Sequence, residues 1–244
     1  MPAHDPPPIS LHPETGRPTW LLVLLGLCIL ALVALMHLQA AAFDGLRAFV
    51  RAEGLWAKAQ KDAVLYLTRF VHSRDDSDYA AFLHATTVSL GDRDARTTLL
   101  SDSPDLARAR QGLLEGQNHP EDIDSMVWFF QNFQWHEAMQ RAIVIWTQGD
   151  EKMQELMALG EDIRQAVRLG VPAASLGAQL QRIDTLNQEL LLLENSFSHV
   201  LGEAARGLRR ALTVLSLGLL LVLGLAMAWG WRRWAPSAAP SIGR

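Results

Sequence analysis

The sequence predicts an all-α fold: an elongated four-helix-bundle-like domain flanked by two transmembrane helices. Three observations predict it. The stretches Thr19 to Phe43 and Ala211 to Trp231 contain no Asp, Glu, Lys or Arg. Between them, apolar residues recur at spacings of three and four, the helical period, and few β-branched runs or hairpin turn pairs interrupt them.

Each uncharged stretch is long enough to span a bilayer, because about 20 residues at about 1.5 Å rise per residue cross a hydrocarbon core of about 30 Å. The first span is placed at residues 19–42. Ala40, Ala41 and Ala42 would suit a cleavage site, but the apolar run from Trp20 to Leu38 exceeds the roughly 7–15 residues of a signal h-region. The basic residues ahead of it reduce to Arg17, so an uncleaved signal anchor is expected. The second span, 211–231, is nearly pure Leu, Val, Gly and Ala and leads into Trp229, Trp231, Arg232, Arg233 and Trp234, rings and cations suited to the headgroup region. Gly224 with Ala228, and Ala226 with Gly230, have the spacing that permits close helix packing. A lipid bilayer is therefore the first expected partner. Residues 1–18, broken by Pro2, Pro6, Pro7, Pro8, Pro13 and Pro18, read as a disordered tail, and 232–244 as a short C-terminal tail.

The domain between the spans, residues 43–210, is long enough for one genuine core. Its first helix, from Phe43 to about His72, carries two apolar stripes: Phe43, Leu46, Val50, Ala57, Val64, Leu67, Val71 and Phe49, Ala52, Trp56, Ala59, Ala63, Tyr66, Phe70. Two faces call for neighbours on two sides, as in a bundle. A second helix starts at Asp75, Asp76, Ser77 and Asp78 and is expected to break at Gly91. Shorter helices follow, with Pro104 and Pro120 each in a first turn and Gly112 and Gly116 near the break between them. A long helix is expected from about Trp135 to Leu169, stopped by Gly170 and Pro172. In the last helix Ile183, Leu186, Leu190, Leu193, Phe197, Val200 and Ala204 form a heptad seam that continues through Gly207 and Ala211 into the second span without a proline.

Charge excludes some functions and leaves orientation open. The domain carries 24 acidic and 18 basic side chains, a net charge of −6, without the basic excess of a nucleic-acid binder. Arg47, Arg51, Arg206, Arg209 and Arg210 flank the spans on the domain side against Arg17, Arg232, Arg233 and Arg244 on the tails, but long domains translocate largely regardless of such charge. The lone cysteine, Cys28, forms no intrachain disulfide and fixes no redox compartment.

Polar residues that interrupt apolar stripes are the strongest site candidates. Glu53 and Gln60 occupy the first stripe, and Asp150 interrupts Met139, Ile143, Trp146, Met153 and Met157. Buried polar groups require partners, so these residues either converge on a polar ligand or set helix register. Trp56 and Trp146 add aromatic walls, and Lys58 and Lys61 add charge. The candidate ligand-binding set is thus Glu53, Trp56, Lys58, Gln60, Lys61, Trp146 and Asp150. Aromatic residues from Trp128 to Trp135 fit core and helix packing better than a ligand pocket. His119, Glu121, Asp122 and Asp124 fit helix capping after Pro120 better than metal binding, so no metal is expected. His136-Glu137 lacks the second His of a zinc-protease helix. No nucleophile-base-acid set, P-loop, dinucleotide fingerprint or Cys/His cluster occurs, so neither an enzyme nor a cofactor is expected.

Two segments carry a resemblance: Gly54-Leu-Trp56-Ala-Lys58-Ala-Gln60-Lys61-Asp62-Ala-Val64 and Leu114-Glu-Gly-Gln-Asn118-His119-Pro120-Glu-Asp122-Ile123. With Ala142-Ile-Val-Ile-Trp146 and Gly149-Asp150, the region is similar to the extracytoplasmic helical sensor regions of bacterial two-span signalling proteins. These include diguanylate cyclases and phosphodiesterases with GGDEF and EAL domains, and hybrid sensor histidine kinases. The resemblance implies a periplasmic helical-bundle input domain in the bacterial inner membrane, working as a homodimer, with no nameable ligand. The sequence contains no GGDEF or EAL motif, kinase box or phosphoacceptor region, so a separate output protein is the expected signalling partner. A two-span coiled-coil scaffold, or a regulatory heterodimer partner of full-length sensors, is the alternative expectation.

Overall fold

The computed structural model describes the backbone of residues 19–234 and the side chains of 22–232. The tail expected over 1–18 and residues 235–244 lie outside the described residues, while 232–234 are helical. In chain order the elements are α1 (Thr19–Ser73), α2 (Asp76–Leu99), α3 (Leu106–Glu115), α4 (Pro120–Phe133), α5 (Glu137–Arg168), a 3-10 turn (Ala173–Leu176) and α6 (Gly177–Trp234). No strand occurs among the described residues, and the fold is all-α.

The chain divides into two compact units. The smaller takes in the described residues 19–36 and 213–234. Its buried apolar side chains are Cys28 and Leu35, whereas Leu22, Leu30, Met36, Val214, Leu221 and Trp231 are mostly exposed. α1 and α6 are long and apolar enough to cross a membrane, and only 11% and 6% of their most apolar windows are buried. The core helix of a soluble protein would be mostly buried.

The larger unit, His37–Leu212, holds two apolar cores. In one, Ala63, Leu67 and Phe70 of α1 meet Tyr79 and Phe82 of α2, Met153, Leu156 and Ile163 of α5, and Ile183, Leu186 and Leu190 of α6. Four helices thus enclose it. In the other, Leu46, Phe49 and Ala52 of α1, Met139 and Ile143 of α5 and Val200 of α6 are joined by Leu99, Leu113, Ile123, Met126 and Phe130, so α3 and α4 pack beside the end of α2. The heptad seam of α6 is therefore used inside its own chain. Both stripes of α1 are buried over most of their length, which places neighbours on two sides. Phe43 and Val50 are the exceptions and are exposed. They belong to a seven-residue repeat, which drifts by about 20° per heptad on a straight helix.

The helix starts follow from their caps. Asp75 accepts a hydrogen bond from Ser77 N at 2.8 Å, and Asp105 accepts from Ala107 N at 3.0 Å and Arg108 N at 3.1 Å. His119 Nδ1 accepts from Glu121 N ahead of α4, where Pro120 sits in the first turn as expected. His136 does the same for α5. Pro104 differs from expectation: Asp105 takes the cap, so the proline lies just outside α3. Gly91 does not break α2, which runs through it. It is the point where α2 lies against α3: a Cβ there would fall 2.5 Å from Gly116 N and 2.6 Å from Gly112 O. Gly112 is reciprocally within α3 and would meet Gly91 O at 2.7 Å.

This crossing gives a sharp expectation. Gly91→Ala puts a methyl into backbone that cannot yield as a side chain does, and should destabilise the unit by about 1–3 kcal/mol. Gly54→Ala, on α1 with open space around it, should stabilise by about 0.5–1 kcal/mol. Urea unfolding of the detergent-solubilised chain checks both signs.

Candidate functional site

Between the two cores lies a layer in which buried polar side chains stand among apolar ones such as Ala57, Ala59 and Val88. On α1 one core ends at Ala52 and the other begins at Ala63; on α2 the gap runs from Ala85 to Ala95, on α5 from Ile143 to Met153, and on α6 from Leu190 to Val200. Glu53, Trp56 and Gln60 fall in the first gap, Ser89 and Asp92 in the second, Thr147 and Asp150 in the third, and Glu194 in the fourth.

The centre of the layer is an ion pair. Arg96 Nη2 donates to Asp150 Oδ2 at 2.7 Å, with the two side chains 6% and 3% exposed. Arg96 Nη1 donates to Thr147 Oγ1 at 2.8 Å, and the guanidinium lies 5.7 Å from the ring centre of Trp146. Beside it, Asn118 Nδ2 donates to Asp92 Oδ1 at 2.9 Å and to Leu113 O at 3.0 Å, fixing the α3–α4 turn to α2. Burial pushes the Asp150 carboxyl up to about 6 despite the Arg96 hydrogen bond. Burial also raises Asp92 well above the ordinary carboxylate range; Asn118 opposes this and the charge of Asp150 adds to it.

Several buried polar atoms of the layer have no hydrogen-bond partner: Trp56 Nε1, both amide atoms of Gln60, Ser89 Oγ, Arg96 Nε, Asp150 Oδ1 and Glu194 Oε2. Each such group costs about 1–3 kcal/mol. Next to them a cavity of about 40 Å³ is walled by Phe49, Trp56, Trp146 and Phe197 and edged by Glu53, Asp92 and Glu194. Gly149 belongs to the wall, because a Cβ there would press on the Trp56 ring at 3.2 Å.

Of the seven residues singled out from the sequence, Glu53, Trp56 and Trp146 line this cavity. Gln60 and Asp150 are buried in the same layer without lining it. Lys61 stands at the edge, donating to Glu194 Oε1 at 3.1 Å. Lys58 is exposed and outside the site. Asp92, Arg96, Asn118 and Glu194 escaped sequence reasoning. Ser89, Asp92 and Arg96 share one face of α2 by their spacing of three and four, and Asp92 interrupts the buried stripe of Tyr79, Phe82, Ala85, Val88, Ala95 and Leu99, which is the signal that marks it. The acidic residues weighed as a metal set are otherwise engaged: Asp122 is buried and pairs with Arg47 at 2.9 Å and Arg51 at 3.5 Å, and Asp124 pairs with Arg110 at 2.7 Å. No protein-family model, curated protein or solved structure matches this chain.

Two expectations follow from the layer's electrostatics. The folded chain holds protons on Asp92 and Asp150 at pH values where an unfolded carboxylate, near 3.8, has lost them. Stability should therefore rise as pH falls from 7 to 5 and be lost as pH rises through the raised folded values. Asp94 and Glu155, whose arginine and lysine partners lower their carboxyls, oppose this only in stronger acid. Thermal unfolding across pH should show the rise in the native chain and a flatter profile in Asp92→Asn. Gln60→Leu, which removes two unpartnered amide atoms, should raise stability by about 1–2 kcal/mol at pH 7.

Proposed function

We propose that the chain is a membrane-anchored signal-input protein. Its helical unit detects a small ligand or an envelope state at the buried polar layer, and α6 passes the change to a separate output partner. The observation that carries this reading is the layer itself. Unsatisfied polar atoms beside a small cavity form a destabilised plane between two well-packed cores, and bistable elements of switching proteins are drawn from such low-stability regions. The same α1 and α6 that border the layer include the two apolar stretches, so a shift or rotation at Glu53, Gln60 or Glu194 lies on helices that reach the membrane segments.

The rest of the proposal follows the resemblance to two-span sensor regions: an inner-membrane protein with residues 43–210 in the periplasm, acting as a homodimer. The chain is not proposed as an enzyme. A scaffold held by an α6 coiled coil is the weaker reading, because Ile183, Leu186 and Leu190 of the seam are spent on the chain's own core.

The test uses the full chain in its native membrane with Cys28→Ser as background. A cysteine replacing exposed Glu115 should react with an impermeant maleimide in intact spheroplasts; reaction only after lysis would overturn the periplasmic assignment. A cysteine replacing Leu217 in the second apolar stretch should form inter-subunit disulfides at a rate that Gln60→Leu changes. An identical rate in both backgrounds would show that layer and span are uncoupled and would sink the input reading.

A further inference from the structure

Charge accounting around the cavity points to the chemistry of its occupant. Among the ionisable groups of the layer, Arg96 is matched by Asp150 and Lys61 by Glu194. Asp92 is biased by burial towards its neutral form. Glu53 has no hydrogen bond and no ion pair among the described residues, although it is partly buried and faces the cavity. Lys61 acts on Glu53 from a distance while its direct partner is Glu194, and Arg93 acts on Asp150, so Glu53 is the carboxylate of the layer without a direct ion-pair partner. Glu194 adds a second acceptor there, since Lys61 engages Oε1 while Oε2 is buried and unpartnered.

The walls select among cations. Phe49, Trp56, Trp146 and Phe197 supply four aromatic surfaces and the lining includes no Lys or Arg. Trp146 is braced edge-on by Phe49 and Phe197, with ring centres 6.4 Å apart in both pairs. Its π-system already accepts the Arg96 guanidinium. Aromatic rings attract weakly hydrated organic cations through their quadrupole and add dispersion contact to alkyl groups, neither of which benefits a hydrated metal ion comparably. A cavity of about 40 Å³ admits a group of roughly three or four heavy atoms, because one water-sized probe occupies about 10–15 Å³. The cavity is bordered by the partly exposed Glu53, Leu193, Glu194 and Phe197, so a longer substituent has a way out to solvent between α1 and α6.

We propose that this cavity binds the headgroup of a small organic monocation, an alkylammonium or methylated ammonium, with Glu53 and Glu194 as its anionic partners and Trp56, Trp146 and Phe197 as its aromatic walls. The proposal rests on reading the polar layer as the input site and names the ligand class for it. No bond is made or broken; the ligand gives Glu53 a direct ion-pair partner. Glu53 is raised above the ordinary carboxylate value by burial first and by Glu194 second, with Lys61 opposing. A bound cation stabilises its ionised form, so affinity falls as pH drops through that raised value.

The experiment titrates the full chain in lipid nanodiscs with choline chloride, following tryptophan fluorescence and the thermal midpoint. Two controls run in parallel: 3,3-dimethyl-1-butanol, a neutral isostere, and potassium chloride at equal ionic strength. Choline alone should give a saturable response, and Glu53→Gln, which keeps shape and removes charge, should weaken it by about tenfold or more while unfolding normally. Trp146→Leu should weaken it as well. An equal response to the isostere would identify a merely apolar cavity, an equal response to potassium would identify screening, and no saturable response to choline would remove the ligand class; each overturns the proposal. The input reading is judged separately by the disulfide rate in the second span, which needs no ligand.

Discussion

The buried ion pair between Arg96 and Asp150 is the constraint on which the larger unit turns. Two charges removed from water cost several kcal/mol each, and their mutual attraction offsets that only when the geometry is good and the remaining lone pairs and protons are satisfied. Here the first condition is met by a 2.7 Å contact, and the second only in part, because Arg96 Nε and Asp150 Oδ1 have no partner. The pair ties α2 to α5 at a single register, since a slip of one residue on either helix would strand a charge in an apolar core. Thr147 and the Trp146 ring complete the grip from α5. Asn118, by holding Asp92, ties the α3–α4 turn to the same level.

Much of the fold was legible in the amino-acid sequence because helix periodicity is a local property. The two faces of α1, the cap at Asp75, the first-turn Pro120, the stop at Gly170 and the uninterrupted run of α6 all depend on residues within a few positions of one another. What misled was the part that depends on a distant neighbour. Gly91 reads as a helix breaker until α3 is seen to lie against it, where the missing side chain serves close approach. The α6 heptad seam does not itself say what covers it, and α1 and α5 of the same chain are found to bury Ile183, Leu186 and Leu190.

The site divides along the same line. Gln60 and Asp150 were visible as polar interruptions of strongly apolar stripes, and both are buried. Asp92 interrupts the α2 stripe of Tyr79, Phe82, Ala85, Val88, Ala95 and Leu99 just as Asp150 interrupts that of α5, but this stripe is short of large apolar side chains, and Arg96 beside it stands among the partly exposed Arg93 and Asp94. Glu194 lies one position from Leu193 in a leucine-rich run, and its role appears only when Lys61 and Glu53 arrive from α1. Lys58, drawn in by proximity in sequence, points away.

The proposed function and the unpartnered polar atoms meet in this layer. A structural core would gain by replacing its unpartnered atoms with apolar groups, since an amide such as that of Gln60 left unpaired costs more than a leucine of similar size. In the proposed function a plane that forgoes this gain is the place where a modest interaction energy can shift the packing. In the same proposal Glu53 and Glu194, on α1 and α6, make the choice electrostatic: the charge of Glu194 raises the cost of ionising Glu53, and a cation placed between them would offset that cost. In the proposed mechanism the relevant movement is therefore an approach or separation of α1 and α6 at this level. Those two helices, and no others among the described elements, include the apolar stretches. In that proposal the polar layer lies on the two helices through which a change of a single charge would reach both candidate membrane spans.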